Sequence, residues 1–209
     1  MSTDIKQTIL NQARAIYLNE GVEHLSMRKI ATKAGITAGA IYWHYPSKED
    51  LVAELFLEGV RIFGEHMARS LRGKGAAERV RLCAEAFLSF GLDYSAHYEI
   101  FFLKHHAPSS TTRWQEFDEQ RRASFRVLMD RVRECMDEGL LRRDSVYDVA
   151  MMMMTSCQGL VTLHLMGQLG LSKDEFVALF RRNYQLMLDS LRPPPAAKRA
   201  TQNTTYTGG

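Results

Sequence analysis

The side chains best suited to chemistry fall into two groups. Cys83, His97, His105 and His106 lie in neighbouring expected elements, and a thiolate with imidazoles suits zinc or copper. Arg28, Lys29, Lys33 and Lys48 lie between Glu23 and Glu49 with no carboxylate among them, a local excess that suits a polyanion. The excess is local because Arg192, Lys198 and Arg199 account for the formal net charge of +3, leaving residues 1–191 neutral. Patterns that carry catalysis are missing: there is no Glu-x-x-His pair, no His-Glu-x-x-His, no Gly-x-Ser-x-Gly and no Gly-x-x-x-x-Gly-Lys phosphate loop. No catalytic residue, metal ligand or cofactor is therefore assigned, with metal sensing by the thiol and imidazoles kept as an alternative.

The elements that must position these groups read as helices throughout, and no run of β-branched residues alternates long enough for a strand. A first helix is expected from about Asp4 to Asn19, ended by Gly21. Ser26 can cap a second helix through Ile30 and Ala31 to Ala34, Gly35 supplies a turn, and Thr37 can cap a third beginning at Ala38. Pro46 breaks the chain and Ser47 starts a fourth, followed by a hinge at Arg72-Gly-Lys-Gly75. Longer helices are expected from Ala76 to about Tyr94, from about Arg113 to Glu138, from about Val146 to Gln168, and from a Ser172-Lys-Asp-Glu175 capping box to Leu191, with a short one near Ser95. The fold class is all-α, with about nine helices.

At 209 residues, 45% hydrophobic, 24% charged and with only 5 prolines, the chain is neither disordered nor collagen-like. Three widely spaced cysteines, Cys83, Cys135 and Cys157, without a Cys-x-x-Cys pair point to a reducing compartment. The N-terminal stretch lacks the apolar core of a signal peptide, and cytoplasmic location is expected. No formal charge falls between Asp148 and Lys173, but Thr155, Ser156, Gln158, His164 and Gln168 interrupt the run, so a buried helix is expected rather than a membrane span. Residues 193–209, opening with Pro193-Pro-Pro195, are expected to form a flexible tail.

Two short helices joined at Ala34-Gly35, with a leading helix completing a small core of Ile30, Ala31, Ile36 and Ile41, are the parts of a helix-turn-helix DNA reader. A generic helical hairpin with solvated basic side chains has the same parts. The string from Ser26 to Leu51, carried by Ile30-Ala31, Ala34-Gly35, the Gly39 to Tyr45 block, Ser47-Lys48-Glu49 and Leu51, resembles the N-terminal signature of the tetracycline-repressor (TetR) family. The strong resemblance covers about the first quarter of the chain; beyond it, length and helical layout alone agree. It implies a homodimeric, ligand-responsive transcription factor, usually a repressor, with an N-terminal helix-turn-helix domain and a larger helical domain for effector and partner. Expected domains are 1–50 for DNA binding, 51–75 for a connecting helix and hinge, 76–192 for effector binding and dimerisation, and 193–209 for the tail.

The resemblance makes Tyr42 and Lys48 phosphate contacts, to which His44 could add a hydrogen bond, while Trp43 could pack on sugar or a thymine methyl. Tyr45 is the ring assigned to the core. Arg28 is the side chain placed for a bidentate guanine contact. Ala38, Gly39 and Ala40 offer no side-chain hydrogen bonds, so readout is expected to be thin, resting on Arg28, Thr37, methyl contacts from Ala38 or Ala40, and DNA shape. That thin edge also keeps open an interaction protein that no longer reads DNA. In a dimer, reading helices should sit about 34–36 Å apart or a multiple on a near-palindromic site.

In the second half, Cys83, Phe87, Phe90 and Tyr94 recur at helical spacing, and Phe102, Trp114, Phe117, Met153 and Cys157 extend an apolar, aromatic and thioether-rich interior. The same stripe would serve as plain core. The effector-binding expectation is Phe87, Phe90, Tyr94, Phe102, Trp114, Phe117, Met153 and Cys157, for a mainly hydrophobic or aromatic ligand without a charged counter-ion. Leu160, His164, Phe180, Tyr184 and Met187 on the last two helices are assigned to a four-helix homodimer interface.

Overall fold

The computed structural model describes residues 2–104 and 111–194, with side chains from residue 5. Among the described residues no strand occurs, and nine α-helices follow one another in an all-α chain. These are α1 (Ser2–Glu20), α2 (Met27–Ala34), α3 (Ala38–His44), α4 (Lys48–Ala68), α5 (Ala76–Asp93), α6 (Ser95–Tyr98), α7 (Thr112–Asp137), α8 (Val146–Leu165) and α9 (Lys173–Ser190).

Local chemistry sets most of these boundaries. The hydroxyls of Ser26, Thr37, Ser47 and Ser172 each accept a backbone N–H from the first turn of their helix, at Lys29, Ala40, Asp50 and Glu175. Ser172 and Glu175 complete a reciprocal capping box. Three helix ends are irregular. The helix α4 continues to Ala68 and then tightens into a 3-10 turn, Arg69–Arg72, before the hinge glycines. A wider π-helical turn, Glu99–Leu103, extends α6 and swings Phe101 and Phe102 inward. The α8 helix stops at Leu165, three residues short of Gln168, as Gly167 takes a left-handed conformation. The tail expected over 193–209 lies outside the described residues from 195 onward.

Two apolar cores share α4. The smaller gathers Ile9, Ala13 and Ile16 of α1, Ile30 and Ala31 of α2, Ile41 of α3, and Leu51, Leu55 and Phe56 from the first half of α4. The larger gathers α5, α7, α8 and α9 around Phe63 and Met67 from its second half. Two buried phenols tie the larger bundle together. Tyr98 O–H lies 3.0 Å from the carbonyl of Gln158, fixing α6 on α8, and Tyr184 O–H donates to the carbonyl of Val80 at 2.8 Å, fixing α9 on α5. A Cβ on Gly91 would run into Val161, so glycine lets α5 and α8 cross closely.

Candidate nucleic-acid interface and effector cavity

The turn between α2 and α3 is built around Gly35, whose φ of 66° lies in the left-handed region that glycine adopts without a Cβ penalty. The Ile36 N–H returns to the carbonyl of Ala31 at 3.1 Å, closing the turn. With Ile30, Ala31, Ile41 and Tyr45 buried, α3 packs on the head by its inner face and presents the other outward. On that outer face Trp43 is 78% exposed and Tyr42 52%. The Trp43 and His44 rings meet edge to face with centroids 4.7 Å apart. Gly39 has ordinary space for a Cβ, so the subunit's own packing does not require a bare backbone there.

The basic side chains divide into committed and free. Lys29 and Lys33, which form an acid-free run in the sequence, both pair in space with Glu20 of α1. Part of the local charge is thus neutralised within the head. Lys48 donates to the carbonyl of Val22 at 2.7 Å, holding the start of α4 against the loop after α1 and keeping further N–H donors for an outside group. Arg28 is exposed at the front of α2 and forms no ion pair among the described residues. The Thr37 hydroxyl accepts the Ala40 N–H at 3.2 Å and keeps its own proton to donate. Tyr45 is fully buried, with Arg113 and Lys6 about its ring at 5.6 and 5.9 Å from the centroid. Burial pushes its phenol up.

The larger domain holds a cavity of about 500 Å³ between α4, α5, α7 and α8. Of the expected lining residues, Phe87, Phe102, Met153 and Cys157 reach it. Phe90, Tyr94, Trp114 and Phe117 do not. Phe90 lies about 4.5 Å farther along α5 than Phe87, where Phe63, Tyr98 and Phe102 close around its ring. Tyr94 is half-exposed at the end of α5 beside His66 and His97. Trp114 and Phe117 face the other core, with centroids 5.2 and 5.7 Å from Phe56. Sequence reasoning passes over Phe63, Phe125, Met129, Tyr147, Arg122 and Arg126, which also line the cavity. Their helical spacing on α7 carries a signal for Phe125 and Met129, and none for the arginines.

The cavity thiols are not activated. Burial pushes Cys83 up to about 11 and Cys157 up to about 12, so both are neutral at physiological pH and act as small apolar groups. Cys83 faces this cavity, whereas His97 faces Glu58 at 3.5 Å; the two do not converge, and His105 and His106 lie outside the described residues. Among the described residues no group of three His, Cys, Asp or Glu side chains gathers as a metal site.

Of the residues expected at a dimer interface, Phe180 and Tyr184 lie inside the subunit, while Leu160, His164 and Met187 stay partly exposed. Phe180 and Tyr184 are buried in the subunit's own core, because the α9 stripe that carries them faces α5 and α8. Leu160 and Met187 are half-buried against the same core, and His164 stacks on Phe176 with ring centroids 4.0 Å apart. Apart from Tyr147 at the start of α8, the large apolar side chains that α8, its C-terminal cap and α9 leave exposed are Met152, Leu163, Met166 and Leu186.

Between head and cavity, α4 carries two acidic side chains one turn apart. Glu54, 3% exposed, is met by Arg113 of α7, Arg61 of α4 at 3.1 Å and Lys6 of α1 at 3.7 Å. Glu58 is met by Arg14 of α1, by Gln7 at 3.3 Å and by His97 of α6. Both carboxylates therefore hold α1 and the larger domain at once.

Residues 9–55 match the family model described as bacterial regulatory proteins, tetR family, and residues 80–191 match the tetracyclin repressor-like C-terminal domain. The regulator AcrR of Shigella flexneri is 42% identical over 53 residues, 25% of each chain. The regulator TtgR of Pseudomonas putida is 27% identical over 125 residues, 58% of this chain and 59% of that protein. The chain thus spans less than two thirds of the length of these curated relatives. The transcriptional regulator FadR of Bacillus subtilis, solved in complex with stearoyl-CoA, superposes with a TM-score of 0.72 at 22% identity, covering 89% of this chain and 99% of that one. No described helix is long and apolar enough to cross a membrane.

Proposed function

The chain belongs to the TetR family of bacterial regulatory proteins, and from that premise we propose that it is a ligand-responsive DNA-binding repressor, released from a near-palindromic operator when an apolar ligand fills the larger domain. The observation that carries this reading is the double membership of α4. Its first half supplies Leu51, Leu55 and Phe56 to the reading head, and its second half supplies Phe63 and Met67 to the cavity wall. A ligand that displaces Phe63 or Met67 acts on the same rigid element that carries α3. Release follows if the ligand prefers the spread of heads that misfits the operator, since an effector indifferent to the two states shifts nothing.

In this reading Tyr42, Trp43, His44 and Lys48 hold the duplex backbone, and Arg28 reads a base with help from Thr37, Ala38 and the close approach that Gly39 permits. The domain division proposed is residues 1–50 for DNA binding, 51–75 for connection and 76–192 for effector and partner. The exposed apolar side chains Met152, Leu163, Met166 and Leu186 support a homodimer through α8 and α9, which provides the paired heads a palindrome requires. The chain works in the cytoplasm, where the DNA is, and catalyses no reaction. An effector with a large apolar part is supported by the cavity wall and by the stearoyl chain of the stearoyl-CoA held by the Bacillus subtilis regulator.

The test is to incubate the protein with sheared DNA of its own genome at about 150 mM salt and sequence what is retained. Enrichment of a short near-palindrome is expected. Uniform retention lost steeply as salt rises would overturn sequence-specific binding.

A further inference from the structure

The side chains at the mouth of the cavity differ in kind from those inside it. The interior is apolar, with Phe87, Phe102, Met153 and Cys157. All the charged residues that line it are arginines of α7, Arg121, Arg122 and Arg126, and no carboxylate joins them. Arg121 is engaged by Asp118 at 3.1 Å. Asp130, one turn beyond Arg126, turns instead to Arg133 at 2.8 Å. Arg122 and Arg126 are thus left one helical turn apart on the same side of α7, exposed and without an ion pair among the described residues. Tyr147 of α8 adds a phenol at this mouth, its ring 5.8 Å from that of Phe125.

A wholly apolar ligand would use none of this. We propose that the ligand is an amphiphile, with an alkyl or arylalkyl tail in the cavity and an anionic oxygen headgroup, carboxylate or phosphate, held at the mouth by Arg122 and Arg126. The proposal rests on the effector reading above and narrows it. Guanidinium forks suit either headgroup because their paired N–H donors match two oxygens. The exposed position makes the attraction modest and sensitive to salt, whereas the tail supplies most of the affinity.

The experiment is calorimetric titration of the full chain, without DNA, with straight-chain alkanoates, the methyl ester and alcohol of each chain length, and the matching alkyl phosphate. Each added methylene is expected to tighten binding about fourfold until the cavity is full. At one chain length the alkanoate or the alkyl phosphate should bind about fivefold to tenfold tighter than the alcohol, an advantage that shrinks at high salt. Comparing the two anions identifies which headgroup the mouth prefers. In a combined Arg122→Gln and Arg126→Gln variant the advantage should disappear while the alcohol binds as before. Equal affinity for anion, ester and alcohol, an advantage that survives the double substitution, or no binding by any member would each overturn the proposal. Retention of a genomic palindrome is measured separately and would stand or fall independently of these results.

Discussion

Glu58 on α4 lies 3.5 Å from Nε2 of His97 on α6 while also taking the guanidinium of Arg14 on α1, so one carboxylate bridges the reading head and the larger domain. Burial pushes this carboxyl up, but the adjacent His97 ring and the hydrogen-bonded Arg14 guanidinium outweigh it and hold the group at about 2. With the folded value below the unfolded one, the ionised form stabilises the fold above the ordinary carboxylate range. That contribution is lost as pH falls from 4.5 toward about 2. Glu58→Gln should lower stability by about 1–3 kcal/mol near neutral pH and flatten the loss over the acid window. Urea midpoints of the two proteins across that window check this, and parallel curves would contradict it.

Arg113 reaches from α7, which lines the cavity, to Glu54 beneath the reading head. Removing it leaves a buried carboxylate with Arg61 and the more distant Lys6. Arg113→Ala should cost about 1–3 kcal/mol of stability. It should also weaken the effect of ligand on operator affinity by about threefold to tenfold. Measuring operator affinity with and without saturating ligand, in both proteins, separates this coupling loss from simple destabilisation.

Arg28 and Lys48 should fail in different ways. Arg28→Ala is expected to cost about 1–3 kcal/mol of operator affinity and to relax preference at one base pair. Lys48→Ala should weaken all sequences alike and reduce the dependence of log affinity on log salt by about 1. Binding to a set of single-base operator variants at several salt concentrations reads both. An Arg28→Ala protein with unaltered base preference would make Arg28 a backbone contact.

Phe117 and Ala84 test which core is which. Phe117 packs on Phe56 away from the cavity, so Phe117→Ala should cost about 3–5 kcal/mol while the folded protein keeps its ligand affinity. Ala84 lines the cavity, so Ala84→Leu should weaken ligand binding by about tenfold with little change in thermal midpoint. The reverse pattern would return Phe117 to the ligand site.

The head is largely legible in the sequence because its determinants are local. Ser26, Thr37 and Ser47 cap the helices that follow them, Gly35 takes the left-handed turn, and the spacing of Ile30, Ala31 and Ile41 buries one face. The cavity is only half legible. Periodicity tells which side of a helix is apolar but not which core that side meets, so Trp114 and Phe117 read like Phe87 yet pack elsewhere. For the same reason Phe180 and Tyr184 read as outward although they close the subunit's own core. Arg122 and Arg126 carry no signal at all until Asp118 and Asp130 are seen to pair with other arginines.

In the proposed mechanism one helix, α4, makes DNA reading and cavity filling a single equilibrium. The direct measurement is a pair of titrations with the duplex recovered from the genome: operator affinity with and without a ligand that the cavity retains, and ligand affinity with and without operator. The ligand should weaken operator binding by about tenfold or more, and the operator should weaken ligand binding by the same factor, as linkage demands. A ligand that binds the cavity yet leaves operator affinity unchanged would contradict the account.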